Sequence, residues 1–555
     1  MQQSDIELRP PELVMRLARL GSMHQTRLSF LRAMLRRAHQ DRWMISRPVW
    51  NLDSEGIGHA VYAVATPEHQ YSLVAFSQKL VPELRTDRVI AEAWDTSYVL
   101  YDGVPDAVEI ERLGQNVPKQ EAGRYTEREL ILSRANKSVR LFESVAKALA
   151  AGHQPDSEEI ESVGYLMRTT AVYGNGKFGI ADRDCIANRP ELAGPFRAEM
   201  LTVWLIRAFT VDLVEHCARA MSPGTVASLH RDIRRRLGVG NATGLGLAPF
   251  LVKHPILLHR WITAREEALA RVRALRTTEL TWRTFLRSLE HARRSVKHWH
   301  TDDTLQACRI ETLQADLHAL RTWVHQMPAR LQTWDDVYCW SEDNLSLEGQ
   351  EYTVSLLIEQ HGSVVDDLCD AMSADEGECT RIDGTISACQ LADLIDRHYS
   401  WVFDFDFSKL ESKARFWYVS EEKLEPRLGE RYTEPGAHLE QPLAFARDVV
   451  ELRNAIKLLP ADEQIASVLL NHSEYRHVVR RVQVVARYPY AEIRDNLIGA
   501  DLRPIDLLRC KLAFFGACRF DPRSDRWLRI CLFQGAPFPD EILEGKGDDW
   551  ADTAA

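Results

Sequence analysis

Between residues 261 and 331 apolar side chains return every three or four positions, a spacing that only the face of a helix satisfies. Ala268, Val272, Leu275, Trp282, Leu286, Leu289 and Val296 carry the first half, with Glu279 and Arg293 as polar interruptions. Asp302-Asp303 stops the rhythm, and Ile310, Leu313, Leu317, Leu320, Val324, Met327 and Leu331 resume it. Two such helices joined by a short polar turn bury their apolar seams against each other. The pattern predicts a long antiparallel hairpin with arms of about 35 and 28 residues, roughly 50 and 40 Å at the helical rise.

Residues 9–42 show a related pattern. Leu13, Leu17, Leu20, Leu28, Leu31 and Leu35 fall on one side. Arg9, Arg16, Arg19, Arg27, Arg32, Arg36, Arg37 and Arg42 fall on the other, opposed by Glu12 and Asp41. They predict an amphipathic helix, broken or kinked near Gly21, with a solvated or partner-facing arginine side. Residues 57–103 switch to runs rich in Val, Tyr, Leu and Phe and predict a small antiparallel meander. From about residue 126 helix signals dominate. Thr126-x-x-Glu129 reads as a capping box, and Asp156-x-x-Glu159 repeats it. Residues 196–220 are apolar nearly all round, as in a buried helix. Residues 370–385 read as an acidic loop, 443–459, 461–471 and 504–515 as helices, and 478–490 and 527–533 as β-like runs.

The expected fold class is therefore mainly α: a multi-helical protein with small antiparallel β elements near both ends and a long helical hairpin. The expected divisions are an N-terminal helix with a meander (1–125), a helical core (126–260), the hairpin (261–331), a C-terminal α+β region (332–545) and a frayed tail (546–555).

The 69 basic residues against 80 acidic ones give a net charge of −11. That balance makes nucleic acid an unlikely partner, because such binding needs a basic surface. The 10 cysteines are scattered without a C-x-x-C pair, which suits reduced thiols in a cytoplasm. No run of 18 apolar residues predicts a membrane span, and the N-terminus lacks the apolar core of a secretory signal. Self-association into a homo-oligomer is left open.

Three segments carry candidate chemistry. Tyr173-Gly174-Asn175-Gly176-Lys177-Phe178-Gly179 packs glycines beside a lysine, which would let successive N–H groups cradle an anion. It follows a helix expected to end near Arg168. Gly238 to Gly246 holds Asn241, Thr243 and Gly244 ahead of an apolar run, a second expected glycine loop at a helix start. Residues 415–436 mix aromatic, acidic and basic groups. Tyr418, Glu422 and Lys423 suit proton transfer, and Arg427 and Arg431 suit a bidentate clamp on a carboxylate or phosphate. Each segment has a plain reading as a turn or an ion-paired surface loop. His298-x-His300-x-Asp302-Asp303 fits no metal spacing and reads as a solvated turn.

Together these residues predict an enzyme acting on an anionic small molecule, a carboxylate or phosphate ester, with Lys177 and the glycine loops converging on it. Oxidoreductase and lyase chemistry both fit, and no motif names a cofactor or a metal. The competing expectation is a non-catalytic scaffold, or a module for RNA or protein, built on the hairpin and the arginine-rich helix.

Overall fold

The computed structural model describes residues 7–80, 94–119, 126–170, 189–244, 254–327, 333–370, 372, 381–406, 415–419, 426–430, 440–442, 444–494, 504–521 and 527–543. Its main feature is a nine-stranded sheet in the order β1-β2-β3-β4-β5-β6-β7-β12-β11. The strands are β1 (Met44–Leu52), β2 (Gly58–Ala65), β3 (Gln70–Ser77), β4 (Thr96–Asp102), β5 (Glu129–Lys137), β6 (Tyr165–Thr169), β7 (Gly238–Gly244), β11 (Ala517–Asp521) and β12 (Trp527–Leu532). The expectation of a mainly α fold with small β elements near both ends is thus overturned. The fold is mixed α/β, and one curled sheet draws strands from most of the chain.

The first five strands form an antiparallel meander, because each apolar run is short and closed by a turn. β2, β3 and β4 are the meander expected from the sequence. The pair β6–β7 is parallel, and all the other pairs in this sheet are antiparallel. A second, three-stranded sheet joins β8 (Arg415–Val419), β9 (Pro426–Glu430) and β10 (Glu440–Pro442) in the order β10-β8-β9.

The sheet is covered on both faces. Helix α1 (Arg197–Met221) lies across β3 to β7 with nearly every residue buried, as its all-round apolar sequence predicts. Phe209 of this helix packs edge-on against Tyr98 of β4. On the other face helix α2 (Ala107–Asn116) covers Val61, Val74, Phe76, Val99 and Tyr101 through Leu113.

Several expected helices are differently built. Residues 9–42 form a single turn (Pro11–Val14), a 3-10 turn (Leu17–Arg19) and one regular helix, α3 (Phe30–Gln40). A Cβ at Gly21 would sit 2.7 Å from the Arg509 carbonyl oxygen, so the chain passes too close to that backbone to carry any side chain there. Thr126 and Glu129 do bond to each other, but they close a turn into β5, not a helix. Residues 478–490, read as β-like, are mostly helix α4 (Arg476–Arg487). Val478, Val479, Val482 and Val485 fall on one helical face and are buried there.

The hairpin rhythm is split further than expected. Residues 261–297 belong to two helices, α5 (Pro255–Arg273) and α6 (Glu279–Lys297), because Thr278 caps a new start by accepting from the Thr281 amide at 3.2 Å. Helix α7 (Thr304–Gln326) follows, capped by Asp303 on the Gln306 amide at 2.8 Å. Leu289, Leu313, Leu317 and Leu320 are buried between and beneath these helices. Helix α8 (Leu347–Glu359) runs through the main core against α5, α6 and α7. Residues 388–491 build a second core of their own, joined by Ile256 of α5.

Candidate functional site

The segments singled out in the sequence are placed unevenly. Tyr173, Gly174, Asn175, Gly176 and Lys177 lie outside the described residues, as do Glu422, Lys423 and Arg431. Tyr418 and Arg427 sit directly opposite each other in the antiparallel pair β8–β9. Their segment is therefore partly strand, where an irregular loop was expected.

The second glycine loop is corrected outright. Residues 238–244 form strand β7, hydrogen-bonded to β6 on one side and β12 on the other. Its glycines serve packing. A Cβ on Gly240 would lie 2.7 Å from Arg168 Cγ and 2.8 Å from the Tyr165 ring, because both side chains cross β7 there. Asn241 is buried and its Nδ2 donates to the Thr169 carbonyl at 2.8 Å, tying β7 to β6. Thr243 and Gly244 are strand positions opposite Leu528 and Trp527. The segment ending near Arg168 is likewise a strand, β6, and not a helix.

What the structure does bring together is a polar row across the middle of the sheet. In the registers of β4–β5 and β5–β6, Ser97 faces Arg134 and Asn136 faces Arg168. Directly opposed residues point to one side of a sheet with Cβ atoms about 5 Å apart, and diagonal neighbours are about 7–8 Å apart. Ser97, Arg134, Asn136 and Arg168 therefore share the face that α2 covers further along. Asn136 and Arg168 are each 1% exposed. Burying polar groups this deeply in a sheet is costly unless each is paired.

Much of the row is fixed by its neighbours. Asn136 Oδ1 accepts from the Asp95 amide at 2.9 Å, and Asp95 Oδ2 accepts from the Lys137 amide at 2.8 Å. This reciprocal clamp pins the start of β4 to the end of β5. The Arg134 amide donates to Thr170 Oγ1 at 3.2 Å, and the Thr170 amide donates to the Arg134 carbonyl at 2.9 Å. The Arg134 guanidinium lies 4.7 Å from the centre of the Trp94 ring. Asn136 Nδ2 remains a buried donor without a hydrogen-bond partner. Lys137 points to the opposite face, its ammonium 4.9 Å from the Phe142 ring.

Sequence reading missed this row, although a signal existed. Arg134 and Asn136, two positions apart, follow closely on the apolar run Leu130-Ile131-Leu132. A period of two with charge on an otherwise apolar strand marks a polar face inside a sheet.

Several arginines of residues 9–42 are engaged inside the molecule, whereas Arg16 and Arg42 are exposed. Arg9 bonds Glu266 at 2.6 Å and Glu351 at 2.8 Å, Arg19 reaches Glu351 at 3.0 Å, and Arg32 reaches Glu359 at 2.6 Å. Arg27 pairs with Asp366 at 2.6 Å. The charge of these four is spent on ion pairs within the chain, so only part of the arginine face expected from the sequence is solvated. No group of His, Cys, Asp or Glu suited to a metal ion occurs among the described residues, and no helix there is long and apolar enough to cross a membrane. Compared with known proteins, the chain matches no family model, no curated protein and no solved structure.

Proposed function

We propose that the β4–β5–β6 face binds an anionic small molecule, a carboxylate or a phosphate ester, and that the chain is an enzyme acting on it. The observation that carries this reading is Asn136 Nδ2, a buried donor without a partner, held in place through its own Oδ1. An unsatisfied buried polar group costs about 1–3 kcal/mol. An oxyanion is rich in acceptors and would satisfy it. Arg134 and Arg168 flank this donor on the same face. Guanidinium groups supply charge-assisted hydrogen bonds to such a ligand, about twice as strong as neutral ones. The segment 173–177 begins three residues beyond Thr170 in sequence, and Lys177 is the proposed additional cation. Tyr418, Glu422 and Lys423 remain the proposed proton-transfer groups, with Arg427 and Arg431 as a second clamp.

The test is calorimetric titration of the purified chain with a panel of small carboxylates and phosphate esters. Asn136→Asp keeps the acceptor that holds the Asp95 amide, removes the donor and adds a negative charge. A ligand of the wild type should bind this variant at least about tenfold more weakly, with circular dichroism checking that the variant is folded. Binding that is equal in both proteins, or no binding by any member of the panel, refutes the proposal.

A further inference from the structure

A cavity of about 60 Å³ lies where the N-terminal segment meets α6, α8, Leu512 and the start of β11 at Ala517. A single water needs only about 10–15 Å³ measured this way, so the space suits several waters or one ligand of a few heavy atoms. Its buried floor is Arg32 and Tyr352, each 1% exposed, and its half-buried rim includes His24, His291 and Ser295.

The wall is polar and carries an uneven set of charges. Glu359 is the lining carboxylate, and Arg32 already holds it by two bonds, at 2.6 and 2.7 Å. That pair is neutral overall. Two imidazoles, His24 and His291, then face the same space. His24 Nδ1 is buried without a hydrogen-bond partner, and its ring meets the Tyr352 ring edge-on at 5.0 Å.

We propose that this cavity is a second binding site, built for a small free oxyanion of four or five heavy atoms, with His24 and His291 as its proton-accepting walls. An apolar ligand would strand the imidazole nitrogen and the serine hydroxyls. A cation would meet Arg32 and two groups that repel it once protonated. A phosphate ester with an organic body exceeds the space. An oxyanion is left, and it makes protonation of the imidazoles favourable by pairing with them.

Proton uptake therefore accompanies binding. Without a ligand, burial pushes the His24 imidazole down to about 4; Glu359 pulls it up, while His291 and Arg32 push it further down. Burial alone would raise Glu359, yet Arg32, His24 and Arg27 together hold it below the usual carboxylate range. Tyr352 is raised by burial and by Glu348, so it stays a neutral donor. A bound anion reverses the balance at His24, and affinity should climb as pH falls.

Sulfate is the probe, because its charge is constant between pH 5 and 8. Calorimetric titration at those two pH values, in two buffers of different ionisation enthalpy, reads affinity and proton uptake together. The expected result is binding about tenfold or more tighter at pH 5, with net proton uptake. His24→Gln should lower the proton uptake and the pH dependence, His291→Gln should do the same where His24→Gln does not fold, and removing both imidazoles should abolish the uptake. The proton-coupled, pH-dependent part of the signal should persist in Asn136→Asp, which removes the donor of the sheet face. Absence of sulfate binding at either pH, or proton uptake that is undiminished in the histidine variants, overturns the proposal.

Discussion

Glu351 is the acceptor on which three guanidinium groups converge. Arg9, Arg19 and Arg265 reach it at 2.8, 3.0 and 3.0 Å, and its side chain is fully buried. Glu351→Gln leaves these cations with Glu266 as the remaining carboxylate of the cluster, in a medium that cannot solvate them. Breaking one partner of a buried ion pair costs about 3–5 kcal/mol, and the urea midpoint should fall accordingly. A second residue-scale expectation concerns Lys511, which is fully buried and lies 4.2 Å from the Phe515 ring. Burial lowers its ammonium to about 7, with a small opposing effect from Cys510. Between that value and the ordinary lysine value of 10.5 the unfolded chain holds a proton that the folded chain has shed. Stability from this group therefore rises with pH across that window. Lys511→Met should be more stable than the wild type at pH 7 and should flatten the slope toward pH 9, as read by urea unfolding at both values. Neither cluster was legible in the sequence. Arg9 and its partner Glu266 stand more than two hundred positions apart, and an arginine alternating with leucines looks the same whether its counter-ion is water or a buried glutamate.

At the scale of elements, periodicity was legible and interruption was not. The apolar rhythm of residues 279–326 does mark paired helices. The break before Thr278 is set by a single cap, which a heptad count does not see. The pairing makes a graded prediction. Leu317 is fully buried and Leu286 is half-buried. Leu317→Asp should therefore cost several kcal/mol, because an unpaired charge would sit in the seam. Leu286→Asp should cost clearly less, and thermal melts of the two variants decide the order. Strands were harder to read where their residues are poor strand formers. Gly238-Val-Gly-Asn-Ala-Thr-Gly244 resembles a loop in every local respect, yet it occupies an interior position in the sheet. Small residues are needed there because Arg168 and Tyr165 lie across it. Gly240→Val should force those side chains aside and destabilise the protein by about 1–3 kcal/mol, with the loss visible in thermal unfolding.

For the whole molecule, the error about fold class has one physical source: sheet membership is decided by pairing between distant segments. The meander of β2, β3 and β4 is local and legible in the sequence. β1 and β5 extend it, and the rest of the sheet is assembled from β6, β7, β11 and β12, far apart in the chain. The polar row on β5 and β6 was hidden for the same reason, since its face exists only once the strands are side by side. The C-terminal part also fastens α1. Trp204 Nε1 donates to the Pro537 carbonyl at 2.8 Å, and the Arg207 guanidinium donates to the carbonyls of Leu237, Ala536 and Arg235 at 2.6, 2.8 and 3.0 Å. Arg207→Met strands those buried acceptors, each at a cost of about 1–3 kcal/mol. It should yield a protein that unfolds at markedly lower urea while its circular dichroism at low urea stays native.

The sheet order also sets a timetable for biosynthesis. β7 emerges from the ribosome long before β12, the strand that seals its outer side, since roughly 280 residues separate Gly244 from Trp527. At translation speeds of about 5–20 residues per second the nascent chain carries an open edge for tens of seconds. An edge that waits so long is a template for intermolecular pairing unless its sequence discourages it. Three glycines within Gly238–Gly244, with one valine and no aromatic residue, make β7 a poor template for any strand but the one whose arrival completes the fold.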